Sequence, residues 1–144
     1  MPNRPVGEII KNQIVLSAPT NISVTEAAKR MKQAKVGAIM VVSDGNLVGL
    51  FTERDAVFRV IAAGLDPDTT KLASVMSSNL QTMTPDRPFA HALHLMHDGG
   101  FRHVPVVENG RPVGMVSARY ALGREIEQFK SELESREQIG EILG

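Results

Sequence analysis

The chain has 144 residues, 42% of them hydrophobic, enough to bury one sizeable core as a compact domain or as two small fused units. Its 16 basic and 16 acidic residues cancel, which argues against a general basic surface for nucleic acid or anionic membrane and restricts any anion site to a local one. Cysteine and tryptophan are both absent, so disulfides, thiolate metal sites and thiol nucleophiles are excluded, and a stacking platform for single-stranded nucleic acid is not expected.

The opening Met1-Pro2-Asn3-Arg4-Pro5 lacks the apolar core of a signal peptide. No window reaches the roughly 18 apolar residues of a membrane span, so the expectation is a soluble, cytoplasmic protein. After a lead-in at residues 6–10, Ile14, Val15 and Leu16 predict a short strand that stops at Pro19. Ser23-Val24-Thr25-Glu26 has the form of a capping box and predicts a helix to residue 34, with Ala27, Ala28 and Met31 facing inward. Residues 38–42 and 47–51 are apolar β-type runs joined through Asp44-Gly45, a hairpin signal. Thr52-Glu53-Arg54-Asp55 is a second capping box in form and predicts a helix ending near Gly64, a residue suited to the left-handed position after a helix.

Residues 65–70 read as a linker, and Lys71-Leu72-Ala73-Ser74-Val75-Met76 leads into a second copy of the pattern. Residues 80–83 predict its short strand, 88–98 its helix, and 103–107 and 112–116 its hairpin strands about Asn109-Gly110. Pro105 cannot donate to a ladder, which marks its strand as an edge. After Tyr120 the helix is expected to continue unbroken to Gln138, with Leu122, Ile126, Phe129 and Leu133 on one stripe.

Residues 25–55 overlie residues 90–120 without a gap, matching Ala27 to Ala92, Met31 to Met96, Val41 to Val106, Val42 to Val107, Gly45 to Gly110, Val48 to Val113, Gly49 to Gly114 and Arg54 to Arg119. The fold class is therefore α+β: two pseudo-symmetric β-α-β-β-α repeats that bury a shared face, followed by a long C-terminal helix. The expected divisions are 6–64 for the first repeat, 65–77 for the linker and lead-in, 78–124 for the second repeat and 125–144 for the helical extension.

His91, His94 and His97 invite a metal reading, but steps of three residues drift by about 60° each, so the outer two diverge. A solvated helix face is the expectation, with no metal site. No Walker-type glycine loop, nucleophile elbow or metal-ligand spacing occurs, and the protein is not expected to be an enzyme.

These residues resemble a tandem pair of CBS domains, a Bateman module of the kind found in small bacterial signalling proteins. The resemblance rests on Gly49, Thr52 and Asp55 at the end of the first repeat and Gly114 and Ser117 at the end of the second. It also rests on Phe101-Arg102-His103-Val104-Pro105-Val106-Val107 and on the lead-in Val75-Met76. What it implies is a regulatory module that needs no cofactor and binds an adenosine-containing ligand between the repeats. AMP, ADP or ATP are the first expectation, with NAD and S-adenosylmethionine as further members of the class. Binding would change the module's shape and signal to a partner protein or a second subunit, in a homodimer without nucleic acid or membrane partners. The alternative is a ligand-independent dimerisation scaffold with degenerate sites.

Residue by residue, the resemblance gives Asp55 to the ribose hydroxyls, with Thr52 supporting it and Arg54 bordering the pocket. Arg102 and His103 fall in the phosphate position, and the base lies against backbone near Ser78, Leu80 and Gln81. The chemistry agrees, because a carboxylate can accept both hydroxyls of a cis-diol and arginine gives charge-assisted donors to phosphate. The second site departs from the pattern. Tyr120 stands where the aspartate belongs, and Gly37-Ala38 replace the Arg102-His103 pair. With Ser117 and Arg119 these residues form a degenerate site, expected to be empty, weak or open to a differently shaped ligand.

Overall fold

The computed structural model describes residues 4–143. The first half contains α1 (Val6–Ile9), β1 (Ser17–Pro19), α2 (Val24–Ala34), β2 (Ala38–Ser43), β3 (Asn46–Thr52) and α3 (Glu53–Asp55), which runs into a π-helical stretch (Ala56–Ile61). The second contains α4 (Leu72–Val75), α5 (Phe89–Gly99), β4 (His103–Glu108), β5 (Arg111–Ser117), a 3₁₀ turn (Ala118–Tyr120) and α6 (Gly123–Leu143). One sheet has the order β1-β2-β3, with β1 parallel and β3 antiparallel to β2; the other is the antiparallel pair β4-β5.

The expected repeat extends to fine detail. Asp44 and Gly45 (φ 52° and 79°) and Asn109 and Gly110 (φ 53° and 80°) place both central turn residues in the left-handed region, which matches the twist of the strands they join. Each hairpin shifts register at the same point, between Val41 and Val42 and between Val106 and Val107. Ser23 caps α2 by accepting the Glu26 N–H at 3.1 Å, while the Glu26 carboxylate turns to Arg30 instead of completing the box.

Three expectations change. The first strand lies at Ser17–Pro19, and Ile14 is 91% exposed. Pairing fixes its position, since Ala18 must enter the core opposite Val41. The strand expected at residues 80–83 shrinks to a single bridge, in which Met83 donates to the Pro105 carbonyl and accepts from the Val107 N–H. The following Pro85 lacks the N–H that the next rung would need. Pro105 carries no N–H, and its carbonyl points to the Met83 side, away from β5, so the proline costs the hairpin no hydrogen bond.

The third change is at the C-terminal helix. The chain after Ser117 makes one 3₁₀ turn, extends at Ala121 and restarts as α6, where the Glu125 carboxylate accepts the Leu122 N–H at 2.8 Å. Of the expected stripe, Phe129 and Leu133 are half-buried, whereas Leu122 and Ile126 stay exposed. Polar anchors replace them. Arg4 pairs with Glu125 at 2.9 Å, Arg136 with Asp98 at 3.2 Å, and His94 with Glu132. The hydrogen bond from Arg4 holds the Glu125 carboxyl below its usual range. Phe129 meets the rings of His94 and His97 edge-on, with centroids 4.9 and 5.8 Å away. His94 and, by its ring contact, His97 thus help to dock α6, while His91 stays exposed as expected. No group of residues able to hold a metal occurs among the described residues.

The packing of the two lead-ins is crossed. Val6 and Ile10, which precede the first repeat, lie in the core of the second with Phe89, Met96, Val104 and Val116. Leu72 and Val75, which precede the second repeat, lie in the core of the first with Ala27, Met31, Ile39 and Phe51. Burying side chains of this size contributes about 1.5–3 kcal/mol each. A third cluster of Ala38, Met40 and Leu50, backed by Leu80 and Met115, forms the shared face.

Gly49 and Gly114 admit the crossed segments. A Cβ on Gly49 would strike the end of the Met76 side chain, whereas one on Gly114 would lie 2.6–2.8 Å from Cβ, Cγ2 and Cδ1 of Ile10. Methionine can swing aside, but a β-branched isoleucine held by its own backbone cannot. Gly114→Ala should therefore cost about 1–3 kcal/mol by overpacking, and more than Gly49→Ala. Urea denaturation of the two variants checks the order.

Candidate functional site

β3 ends at Thr52, where α3 begins, and the cap is reciprocal. Thr52 Oγ1 accepts the Asp55 N–H at 3.1 Å, while Asp55 Oδ2 accepts the Thr52 N–H at 3.0 Å. Alongside, Leu50 and Ser77 exchange two backbone hydrogen bonds of 2.9 Å, so the chain leaving α4 is pinned to the edge of β3. From there residues 77–81 run across to the second repeat, where β4 begins at His103. These segments enclose a cleft of about 830 Å³.

The cleft gathers most of the expected site. Thr52, Arg54, Asp55, Leu80, Gln81, Arg102 and His103 all line it. Ser78 does not, and its neighbours Ser77 and Asn79 take that place. Asp55 is 6% exposed. Besides the cap, it accepts from Ser77 Oγ at 3.2 and 3.3 Å and lies 3.4 Å from Arg59 Nε. Capping and pairing together give both carboxylate oxygens partners, as a buried polar group requires. Ser77 and Arg59 are additions to the expected set. Arg59 stands four residues after Asp55, a helical ion-pair spacing readable from sequence; Ser77 carries no such signal.

The segment after Asp55 winds as a π-helix through Ile61, an irregularity found often at functional sites. It presents Phe58, 63% exposed, with the Arg54 guanidinium 5.4 Å from its ring centre. His103 also lines the cleft, and burial lowers its pKa below the 6.5 of a free imidazole; the Glu53 carboxylate opposes this, while Arg119 and Arg102 reinforce it.

A second cleft of about 440 Å³ lies on the other side of His103 and Gly37, both of which line the two clefts. Gly37, Ala38, Ser117, Arg119 and Tyr120 line it as expected, together with Met40, Met115 and Gln13. None of its lining residues carries a carboxylate. The pseudo-symmetry is broken in a specific way. Where Leu50 is paired by the backbone of Ser77, its counterpart Met115 is paired by a side chain: the Gln13 amide accepts the Met115 N–H at 2.7 Å and donates to its carbonyl at 2.9 Å.

Comparison with known proteins agrees with this architecture. The sequence profile of the CBS domain matches residues 6–62 and 72–125, and the chain belongs to the CBS-domain family, carrying two tandem copies. It is 34% identical over 120 residues to the mitochondrial CBS domain-containing protein CBSX3 of Arabidopsis thaliana, covering 80% of this chain and 58% of that one. It is 32% identical over 114 residues to the uncharacterized protein MK0525 of Methanopyrus kandleri, covering 78% and 58%. The aligned part is thus a little over half the length of these relatives. Among solved structures, the CBS-domain containing protein ATU1752 of Agrobacterium tumefaciens superposes with a TM-score of 0.72 at 33% identity, over 78% of this chain and 92% of that one. PAE2072 of Pyrobaculum aerophilum, solved in complex with AMP, superposes with a TM-score of 0.77 at 24% identity, over 88% and 98%.

The lowered pKa of His103 fixes the sign of a pH effect. The unfolded chain binds this proton more readily than the folded one, so the His103 contribution to stability is fully present above pH 6.5 and is lost as pH falls through the window below it. The urea midpoint of His103→Gln should fall less than that of the unsubstituted protein between about pH 7.5 and 5.5.

Proposed function

We propose that this chain is a regulatory adenine-nucleotide-binding module, not an enzyme, and that the 830 Å³ cleft is its principal site. The observation that carries the reading is the pairing, across one cleft, of a buried carboxylate from the first repeat with a basic pair from the second, Asp55 with Arg102 and His103. Asp55 takes the ribose hydroxyls, with Ser77 Oγ and Arg59 giving way or sharing its oxygens. Arg102 and His103 take phosphate, and the base lies along residues 79–81. The AMP complex of PAE2072 supports this choice of ligand class.

Signalling follows from which elements the ligand joins. His103 begins β4 and Arg102 precedes it, separated by Phe101 alone from Gly100, whose φ of 71° ends α5. A ligand that draws them toward Asp55 biases the angle between the repeats, and α5 hands that bias to α6 through Phe129 and the His94–Glu132 and Arg136–Asp98 pairs. It does so only by as much as the ligand prefers one shape over the other. The second cleft, lacking a carboxylate, binds nucleotide weakly or not at all.

A homodimer is part of the proposal. Val57, Phe58 and Ile61 project from one helical segment and Leu65 from the chain just beyond it, with exposures of 48%, 63%, 72% and 42%, an apolar surface that a second copy would cover. Phe58→Glu combined with Ile61→Glu should convert a dimer to a monomer in light scattering at unchanged helical content.

One observation favours the ligand-free scaffold instead: both Asp55 oxygens already have partners within the chain. A thermal-shift and calorimetry panel over AMP, ADP, ATP, NAD and S-adenosylmethionine separates the readings. The expected result is one tight site, with affinity reduced at least about tenfold in Asp55→Ala. That variant should also lose about 1 kcal/mol of stability with its cap. Stability loss without any nucleotide effect in either protein would leave the scaffold.

A further inference from the structure

We propose that Glu53 limits the charge accepted at the phosphate end of the principal cleft, so that the site prefers a nucleoside monophosphate to a di- or triphosphate. The inference rests on the nucleotide reading above and adds the class of nucleotide.

Glu53 is the first residue of α3, and its N–H donates to the Gly37 carbonyl at 3.0 Å. This contact turns the side chain back over Gly37. A Cβ on Gly37 would collide with Glu53 Oε1 and would lie 3.4 Å from His103 Nε2. The missing methyl therefore marks a point that carboxylate and imidazole approach together, at the wall between the two clefts. A carboxylate thus stands beside the histidine of the basic pair.

Counting the other charges sharpens the point. Arg59 is spent on Asp55 and on the Met76 carbonyl, 3.1 Å away. Arg54 lies over Phe58. Arg102 makes no ion pair among the described residues, and burial favours the neutral form of His103. At the phosphate end the Arg102 guanidinium and one imidazole can answer a single phosphate, with His103 taking up a proton as the dianion arrives; Arg54, the other lining guanidinium outside the ion pairs of the described residues, is drawn toward Phe58. Every further phosphate adds negative charge near Glu53, where Arg102 and His103 are already engaged, and the added repulsion lowers affinity by about tenfold per charge.

The test is calorimetric titration with AMP, ADP and ATP, without magnesium, of the unsubstituted protein, Glu53→Gln and Gly37→Ala. The Gly37→Ala methyl displaces the Glu53 carboxylate without altering its charge. The unsubstituted protein should bind AMP at least about tenfold more tightly than ATP. Glu53→Gln should raise ATP affinity about tenfold while moving AMP by less than about threefold, and Gly37→Ala should narrow the ratio in the same direction. AMP binding with an ATP-to-AMP ratio unchanged by Glu53→Gln overturns the inference and leaves the nucleotide reading standing. No binding of any adenine nucleotide overturns the reading and the inference with it.

Discussion

The Asp55 carboxylate is the joint on which the site depends. It closes the first turn of α3 by accepting the Thr52 N–H, and it holds the Ser77 hydroxyl. Ser77 in turn exchanges backbone bonds with Leu50. One buried charge thus ties the end of a strand, the start of a helix and the segment that crosses to the other repeat. Remove it and the helix start, the cleft wall and the charge that balances Arg59 are all affected, because a buried group left without its partner costs more than the bond itself was worth. This is why a residue that looks like a helix cap also organises a pocket.

The crossed lead-ins give the pocket its rigidity. With α1 in the second core and α4 in the first, neither repeat completes its own interior. The cleft between them is then a seam within one cooperative unit, unlike a gap between two independent domains. Glycine at positions 49 and 114 is the local condition for this exchange, since each faces a side chain delivered by the crossed segment.

Much of this was legible in the sequence. Hairpins with Asp-Gly and Asn-Gly turns, the capping sequences and the ungapped repeat each reflect local backbone preference, and local preference is what sequence displays. That Thr52, Arg54, Asp55, Arg102 and His103 would line one cleft was legible through the family resemblance, and that Gly37, Ala38, Ser117, Arg119 and Tyr120 would line another through the departures from it. What failed to show depends on partners distant in the chain. The first strand is placed by pairing with β2, not by the apolar run Ile14-Val15-Leu16. His94 and His97 read as solvent-facing because nothing near them announces Phe129, Glu132 and Arg136 arriving from α6. Ser77, and not Ser78, lines the cleft because the one-residue register along the crossing segment is set by its bonds to Leu50. The π-helical winding after Asp55 has no compositional mark at all.

The unequal treatment of Leu50 and Met115 has a consequence for how the two clefts can change over time. The wall of the principal cleft is held by backbone groups of Ser77, which every non-proline residue possesses, so most substitutions at that position leave the rung in place. The wall of the second cleft is held by the amide of Gln13, and a single codon change removes it. One half of the molecule is buffered against drift, while the other is written in a side chain and free to be rewritten.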